Sequence, residues 1–367
     1  MGQLEAAQLL IASGANVHAR APDNSTALHA ASTKGFVAIL RELVAAGADV
    51  NAKGTISGAP AFAAILHNHV DCLKVLMDAG ADVNATIKDN SSLLMLSCMH
   101  SNSNCVQVLL SAGAALNLRS LDGSAAIHFA AEAKDPACMR LLLAAKSPGG
   151  EEIDVDAADT FGQTALHASA FFGRPVQCKM LLDAGATAGA KNKNDATPLL
   201  TACVSGNADC VKALLAVKGI DVNTPDNLGR GPLHWAAENG NKDCVQALLL
   251  AKGIDLNKKD NNGLTPLALA TMKKHSSIVE MLAKGARTDA SSSPAAAASS
   301  TSTSSVKQVC AGCGLSRLEN PTAPRLRLCT GCRSVAYCNA DCQLKHWKTG
   351  GHKEVCGQMK KVEEKKV

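Results

Sequence analysis

Eight segments of one type, Thr-x-Leu-His-x-Ala or a variant of it, recur along most of the chain and set a strict period. They begin at Thr26 (TALHAA), Ala59 (APAFAA), Ser92 (SLLMLS), Ala125 (AAIHFA), Thr164 (TALHAS), Thr197 (TPLLTA), Gly231 (GPLHWA) and Thr265 (TPLALA), so successive spacings are 33, 33, 33, 39, 33, 34 and 34 residues. A second marker, Gly-Ala-Asp-Val-Asn or a variant, stands 12 residues ahead of seven of them, at Gly14, Gly47, Gly80, Gly113, Gly185, Gly219 and Gly253. Units of this length cannot bury an apolar face alone, so each must stack on its neighbours. The one large insertion, KSPGGEEIDVD, falls between a helix and the next hairpin, where a stacked array tolerates extra chain.

A 33-residue unit with a T-P-L-H-x-A signature resembles the ankyrin repeat, over residues 1 to about 289. The resemblance implies a mostly α fold, an ankyrin-repeat solenoid in which every unit has a hairpin tip and two antiparallel helices. In TALHAASTKGFVAILRELVAAGADVN the Thr is suited to cap the first helix, the alanines permit close helix approach, and Gly47 sits where a C-cap is expected. The second unit (GAPAFAAILHNHVDCLKVLMDAG) is degenerate and the third lacks the Thr and His, but both hold the period and count as repeats. At the start, Gly2 aligns with Gly35, so MGQLEAAQLLIASGANVHAR supplies only the second helix of a unit: either a capping half-repeat, or a start placed inside a longer gene.

The period also accounts for most cysteines and histidines outside the C-terminal segment. Cys72, Cys105, Cys138, Cys210 and Cys244 share one repeat position, which Ile39 and Ile278 fill elsewhere, as expected of a small buried apolar slot. Equivalent positions lie a whole repeat apart, beyond the ~4.4–6.8 Å Cα separation of a disulfide. Cys98, Cys178 and Cys203 are read in the same way. His29, His128, His167 and His234 recur with the fold's own period, which marks structural residues rather than catalysts.

Composition divides the chain in two. Residues 1–305 carry 25 Lys and Arg against 27 Asp and Glu, a net charge of −2, whereas residues 306–367 carry 12 against 5, a net +7. With nine aromatic residues in all, the core must come from Ala, Leu, Val, Ile and Cys. No apolar run reaches the roughly 18 residues of a membrane span, and the N-terminus lacks a secretory signal. Gly2 is followed by Ala6 where a myristoylation motif needs Ser or Thr. An intracellular protein, cytoplasmic or nuclear, with reduced thiols is expected. From Ala290 to Ser305 every residue is Ala, Ser, Thr or Pro, which predicts a flexible tether.

Beyond the tether the ligand candidates pair as Cys310-x2-Cys313, Cys329-x2-Cys332, Cys338-x3-Cys342 and His352-x3-Cys356. Two intervening residues form a turn that aims both donors at one metal, and three place them one helical turn apart. Eight thiolate and imidazole donors fit two closed tetrahedral Zn²⁺ sites, with no position open to substrate, so the zinc is expected to be structural. A disulfide knot would need an oxidising compartment, a redox C-x-x-C a βαβ context, and a DNA-reading finger a His pair after its Cys pair; none is present.

This pattern, with Tyr337-Cys338, Cys342-Gln343, Trp347 and His352-Lys353, resembles the MYND-type zinc finger over residues 310–356. Four residues separate Trp347 from His352, where the family usually has two or three. His346 is the competing ligand, and only His352 keeps one-turn spacing to Cys356. The resemblance implies interleaved ligation: Cys310, Cys313, Cys338 and Cys342 on one zinc, Cys329, Cys332, His352 and Cys356 on the other. It also implies a groove for proline-rich peptides lined by Gln343 and Trp347, although Trp347 is equally suited to be the core residue of so small a module. The expected organisation is an array over 1–289 with a half repeat plus eight repeats, a tether over 290–305, a finger over 306–360 and a charged tail over 361–367.

An interaction adaptor is therefore the leading expectation, with protein partners on the array. Zinc loading reduces the module's charge to about +4, because seven thiolates outweigh two Zn²⁺ ions, and no aromatic stacking platform is present, so nucleic acid is an improbable partner. The alternatives are a zinc-dependent transcription or chromatin regulator with weak nucleic-acid contact, or a fragment of a larger enzyme; no phosphate loop, nucleophile elbow or H-E-x-x-H supports catalysis. Because metal binding should supply the folding free energy of the module, a chelator is predicted to unfold residues 306–360 and leave the array helical. Hydrogen exchange in that segment that is unchanged after metal removal would contradict it.

Overall fold

A computed structural model of the chain describes residues 2–54, 58–146 and 149–289, together with the backbone of 327–328 and 336–337. The chain divides into two compact units, Met1–Ser293 and Pro294–Val367. Unit one opens with a single helix, α1 (Gly2–Ala12), followed by helix pairs: α2 (Ala27–Lys34) and α3 (Val37–Ala45), α4 (Pro60–Leu66) and α5 (Val70–Asp78), α6 (Leu93–Met99) and α7 (Ser103–Ser111), α8 (Ala126–Glu132) and α9 (Ala137–Ala144). Four further pairs complete it: α10 (Ala165–Phe171) and α11 (Pro175–Asp183), α12 (Pro198–Ser205) and α13 (Ala208–Leu215), α14 (Pro232–Asn239) and α15 (Lys242–Leu249), α16 (Pro266–Met272) and α17 (Ser276–Asp289). First helices stack on first helices and second on second, α1 lying on α3, which gives two helical layers. The insertion follows α9, between that helix and the next hairpin.

The marker glycines serve the backbone. Gly14, Gly47, Gly80, Gly113, Gly185, Gly219 and Gly253 all have φ between +80° and +90°. At Gly47 the bonds are those of a Schellman motif: its N–H donates to the Val44 carbonyl at 2.9 Å and the Ala48 N–H to Leu43 at 3.0 Å. A Cβ at Gly47 would meet nothing within 4 Å, so conformation, not space, selects the glycine.

Polar side chains join one repeat to the next. The marker asparagines reach across the hairpins: Asn51 accepts from Asp82 N–H at 2.8 Å, Asn84 from Ala115 N–H at 2.9 Å and Asn223 from Asp255 N–H at 2.9 Å. At the start of the second helices, Asn102, Asn207 and Asn241 donate to carbonyls that end the preceding first helices, Ile65, Ala170 and Cys203, each at 2.8 Å. His69 and His275 make the equivalent bonds to Thr33 and Glu238. Gly206 is required where Asn241 passes, since a Cβ there would lie 2.8 Å from Asn241 Oδ1.

The repeat histidines are buried junction residues. In each, Nδ1 accepts the backbone N–H of the residue that starts the first helix, at 3.0 Å for His29, 3.1 Å for His128 and 3.2 Å for His167 and His234. Nε2 faces a carbonyl of the next repeat, Gly58, Gln163, Ala196 or Leu264, which fixes the neutral Nε2–H tautomer. The expected threonine caps differ accordingly. Thr197 and Thr265 accept from the N–H three residues on, whereas the Thr26 and Thr164 hydroxyls pair with the histidine Nδ1, because that imidazole already holds the N-cap.

All eight array cysteines are free thiols, at most 1 % exposed. Burial pushes Cys105 up to about 11, so it stays a thiol at neutral pH. Cysteines at different repeat positions touch across junctions, Cys98 with Cys138 and Cys203 with Cys244. In the repeat that follows the insertion the recurring cysteine slot holds Gln177, 2 % exposed, which donates to the Ala133 carbonyl at 2.7 Å.

Burial lowers the pKa of His128, His167 and His234 below the ordinary histidine value. Each pKa is lower folded than unfolded, so the stability these groups add is complete above about pH 6.5 and is lost as pH falls through the lowered values. The urea midpoint of the helical signal should therefore fall between pH 7.5 and 5.5. The fall should shrink in His167→Gln, and an equal fall in that variant would contradict the assignment.

Candidate functional site

Two regions can meet a partner: the side of the first-helix layer turned away from the second helices, with its hairpin tips, and the C-terminal unit. The tips form a continuous edge, because Leu121 N–H donates to Asp89, Thr160 to Asp122, Lys193 to Phe161, Asn227 to Asn194 and Asn261 to Leu228, all at 2.8–3.0 Å. On the helices, the residue seven places after each N-cap is at least partly exposed, and there the sequence is irregular: Thr33, Leu66, Met99, Glu132, Phe171, Val204, Glu238 and Met272. Side chains that the stacking does not require are the ones free to specify a ligand.

In repeat seven this layer carries a charge network that the sequence reading did not single out. Arg230 donates through Nε to Asp260 Oδ2 at 3.0 Å and pairs with Glu238, while Lys273 lies 3.4 Å from the other Glu238 oxygen. The guanidinium sits 5.0 Å from the centroid of Trp235, whose Nε1–H donates to Asp226 at 2.7 Å. Asp260 is fully covered, so Arg230 neutralises a buried carboxylate and ties repeats seven and eight. Arg230 precedes the repeat segment and Trp235 replaces an alanine within it; those departures from the repeat were the only available signal.

Among the described residues no group of three or more His, Cys, Asp or Glu is placed to hold a metal ion. The expected ligands Cys310, Cys313, Cys329, Cys332, Cys338, Cys342, His352 and Cys356 lie outside the described residues, as do His346, Gln343 and Trp347. What is described of that unit is an antiparallel pair, β1 (Arg327–Leu328) and β2 (Ala336–Tyr337), with Arg327 opposite Tyr337 and Leu328 opposite Ala336. In the sequence Cys329 directly follows β1 and Cys338 directly follows β2. Among the described residues no helix is long and apolar enough to cross a membrane.

Comparison with known families matches both regions. The family model described as Ankyrin repeats (3 copies) covers overlapping windows at residues 1–87, 62–156, 94–192, 149–226, 173–260 and 218–292. The model described as MYND finger covers residues 310–356, which begin at Cys310 and end at Cys356. Both kinds of domain are interaction modules, and the MYND finger binds zinc. The chain belongs to the ankyrin-repeat family and carries a zinc-binding MYND finger after its repeats.

Proposed function

We propose that this protein is a non-enzymatic adaptor whose array holds one protein partner and whose finger docks a proline-rich peptide. The observation that carries the reading is the pairing of two binding modules in one chain, the array presenting uncovered apolar side chains such as Met99 and Phe171 on its first-helix layer. In the array, Asn102, Asn207, Asn241, His69 and His275 are consumed in junctions. Its cysteines and repeat histidines are buried in the stack and are not presented on the face. The buried free thiols suit a reducing, intracellular setting.

In the finger, the donor set of seven thiolates and one imidazole fits two tetrahedral zinc ions. Cys310, Cys313, Cys338 and Cys342 would hold one, and Cys329, Cys332, His352 and Cys356 the other. Bound zinc supplies the folding free energy that a short, polar segment lacks. Between the ligands, Gln343 offers an amide to a peptide carbonyl and Trp347 a ring face for proline, a pairing suited to a preformed extended helix. We place the tether at 290–305, which lets the two modules bind independently.

A fluorescein-labelled proline-rich peptide titrated with the full zinc-loaded chain tests the finger. Trp347→Ala should weaken binding at least roughly tenfold, the scale of a lost aromatic anchor, with zinc content unchanged. Unaltered affinity, or zinc lost together with binding, would contradict the groove.

A further inference from the structure

Uncovered apolar side chains concentrate in repeats three to five. Met99, Leu121, Phe161, Phe171 and Phe172 are each 43–68 % exposed. They come from stacked elements: α6 packs on α8 and α8 on α10, and the tips of the same repeats are joined by the bonds from Leu121 to Asp89 and from Thr160 to Asp122. The surface is held in place. Phe171 and Phe172 meet edge to face at 5.2 Å and 84°, and Arg174 Nε donates to the Glu132 carbonyl at 2.8 Å, locking the end of α8 to the turn after α10. A rigid aromatic cluster on a solvated face is a common anchor for a protein partner.

Two carboxylates interrupt the cluster. Glu132 occupies the outward position between Met99 and Phe171, and Asp122 stands at the tip of the same repeat. Although Glu132 remains exposed, desolvation by the surrounding protein, then the neighbouring Asp122 charge, pushes its carboxyl above the ordinary range. Burial acts on Asp122 in the same direction, but hydrogen bonds from Ser120 and Ser124 outweigh it and keep that group ionised. Arg119, beside Asp122, is committed elsewhere: it donates to the carbonyls of Gly123 and Ala158 and pairs with Asp154. A wholly apolar partner would bury these carboxylates without a countercharge, and an acidic one would repel them.

We propose that this face docks a partner segment presenting an arginine or lysine between apolar side chains, the cation against Glu132 and Asp122 and its neighbours on Met99, Leu121 and the phenylalanines. It rests on the reading of the array as a partner-binding surface. Arginine is preferred over lysine, because a guanidinium pairs with carboxylates in a fork and stacks on the phenylalanine faces. The same chemistry disfavours nucleic acid, whose phosphates would meet the two carboxylates.

The test uses the full chain and four fluorescein-labelled pools of short peptides, with mixed Leu, Phe and Ser positions flanking a central Arg, Lys, Leu or Glu. Polarisation should rank the pools Arg, then Lys, with Leu and Glu roughly tenfold weaker or more, as charge pairing at a partly desolvated site implies. Glu132→Gln should erase most of the Arg advantage while leaving the Leu pool unchanged, and Phe171→Ser should weaken every pool; an unchanged thermal midpoint shows that both variants fold. Equal binding of the four pools, or an Arg preference that survives Glu132→Gln, overturns the proposal. So does sedimentation showing a dimer that Phe171→Ser returns to monomer, since the face would then be an interface between copies. Failure here with proline-rich peptide still captured through Trp347 leaves the adaptor reading standing.

Discussion

No repeat in this array can bury its own apolar face, and every other feature of the array follows from how adjacent repeats close that deficit together. Leu28, Leu93, Leu166 and Leu233 are nearly or fully buried only because another first helix lies on each of them. Stacking also covers backbone carbonyls at helix ends, and a covered carbonyl needs a donor. The side chains of Asn102, Asn207 and Asn241, with His69 and His275, supply it. Junctions are thus apolar in area but polar in register: a slipped stack would leave both the asparagines and the carbonyls unpaired.

The same constraint divides the surface by role. Positions that serve the junction repeat with the period, and they hold nearly all the histidines and cysteines that might have suggested chemistry. Outward positions of the first helices escape that duty, and there methionine, glutamate, phenylalanine and valine alternate without period. A stacking array can change those residues at little cost in stability, so they are where a binding preference can be written. The Arg230–Trp235–Asp260 network is an intermediate case, since it faces outward yet ties repeats seven and eight together.

Much of this was legible in the sequence because both modules are written in spacings. The 33-residue period placed all eight helix pairs and the half repeat, and the Cys and His pairs delimit the finger that the family comparison finds at 310–356. Contacts between positions that do not share a register were not legible. Gln177 in a cysteine slot, Cys98 against Cys138, and Arg230 reaching Asp260 each depend on how two repeats meet, which a periodic pattern does not contain. The capping role of the histidines was hidden for a related reason: a Thr ahead of a helix reads as its cap until the imidazole is seen accepting the threonine's own backbone N–H and pairing with its hydroxyl. The ligand residues Cys310 to Cys356, with Gln343 and Trp347, lie outside the described residues, so their roles rest on spacing and family.

If junctions carry the stability, damage to one must be felt by the two repeats that share it and fade with distance. Hydrogen exchange along the full chain, comparing the native protein with Asn241→Ala, measures this most directly. Asn241 joins α15 to the end of α12, so protection should fall in α12 to α15 and persist in α4 to α8. Uniform loss across all repeats, or no loss at α12 and α14, would show that something other than the nearest-neighbour junction holds the array together.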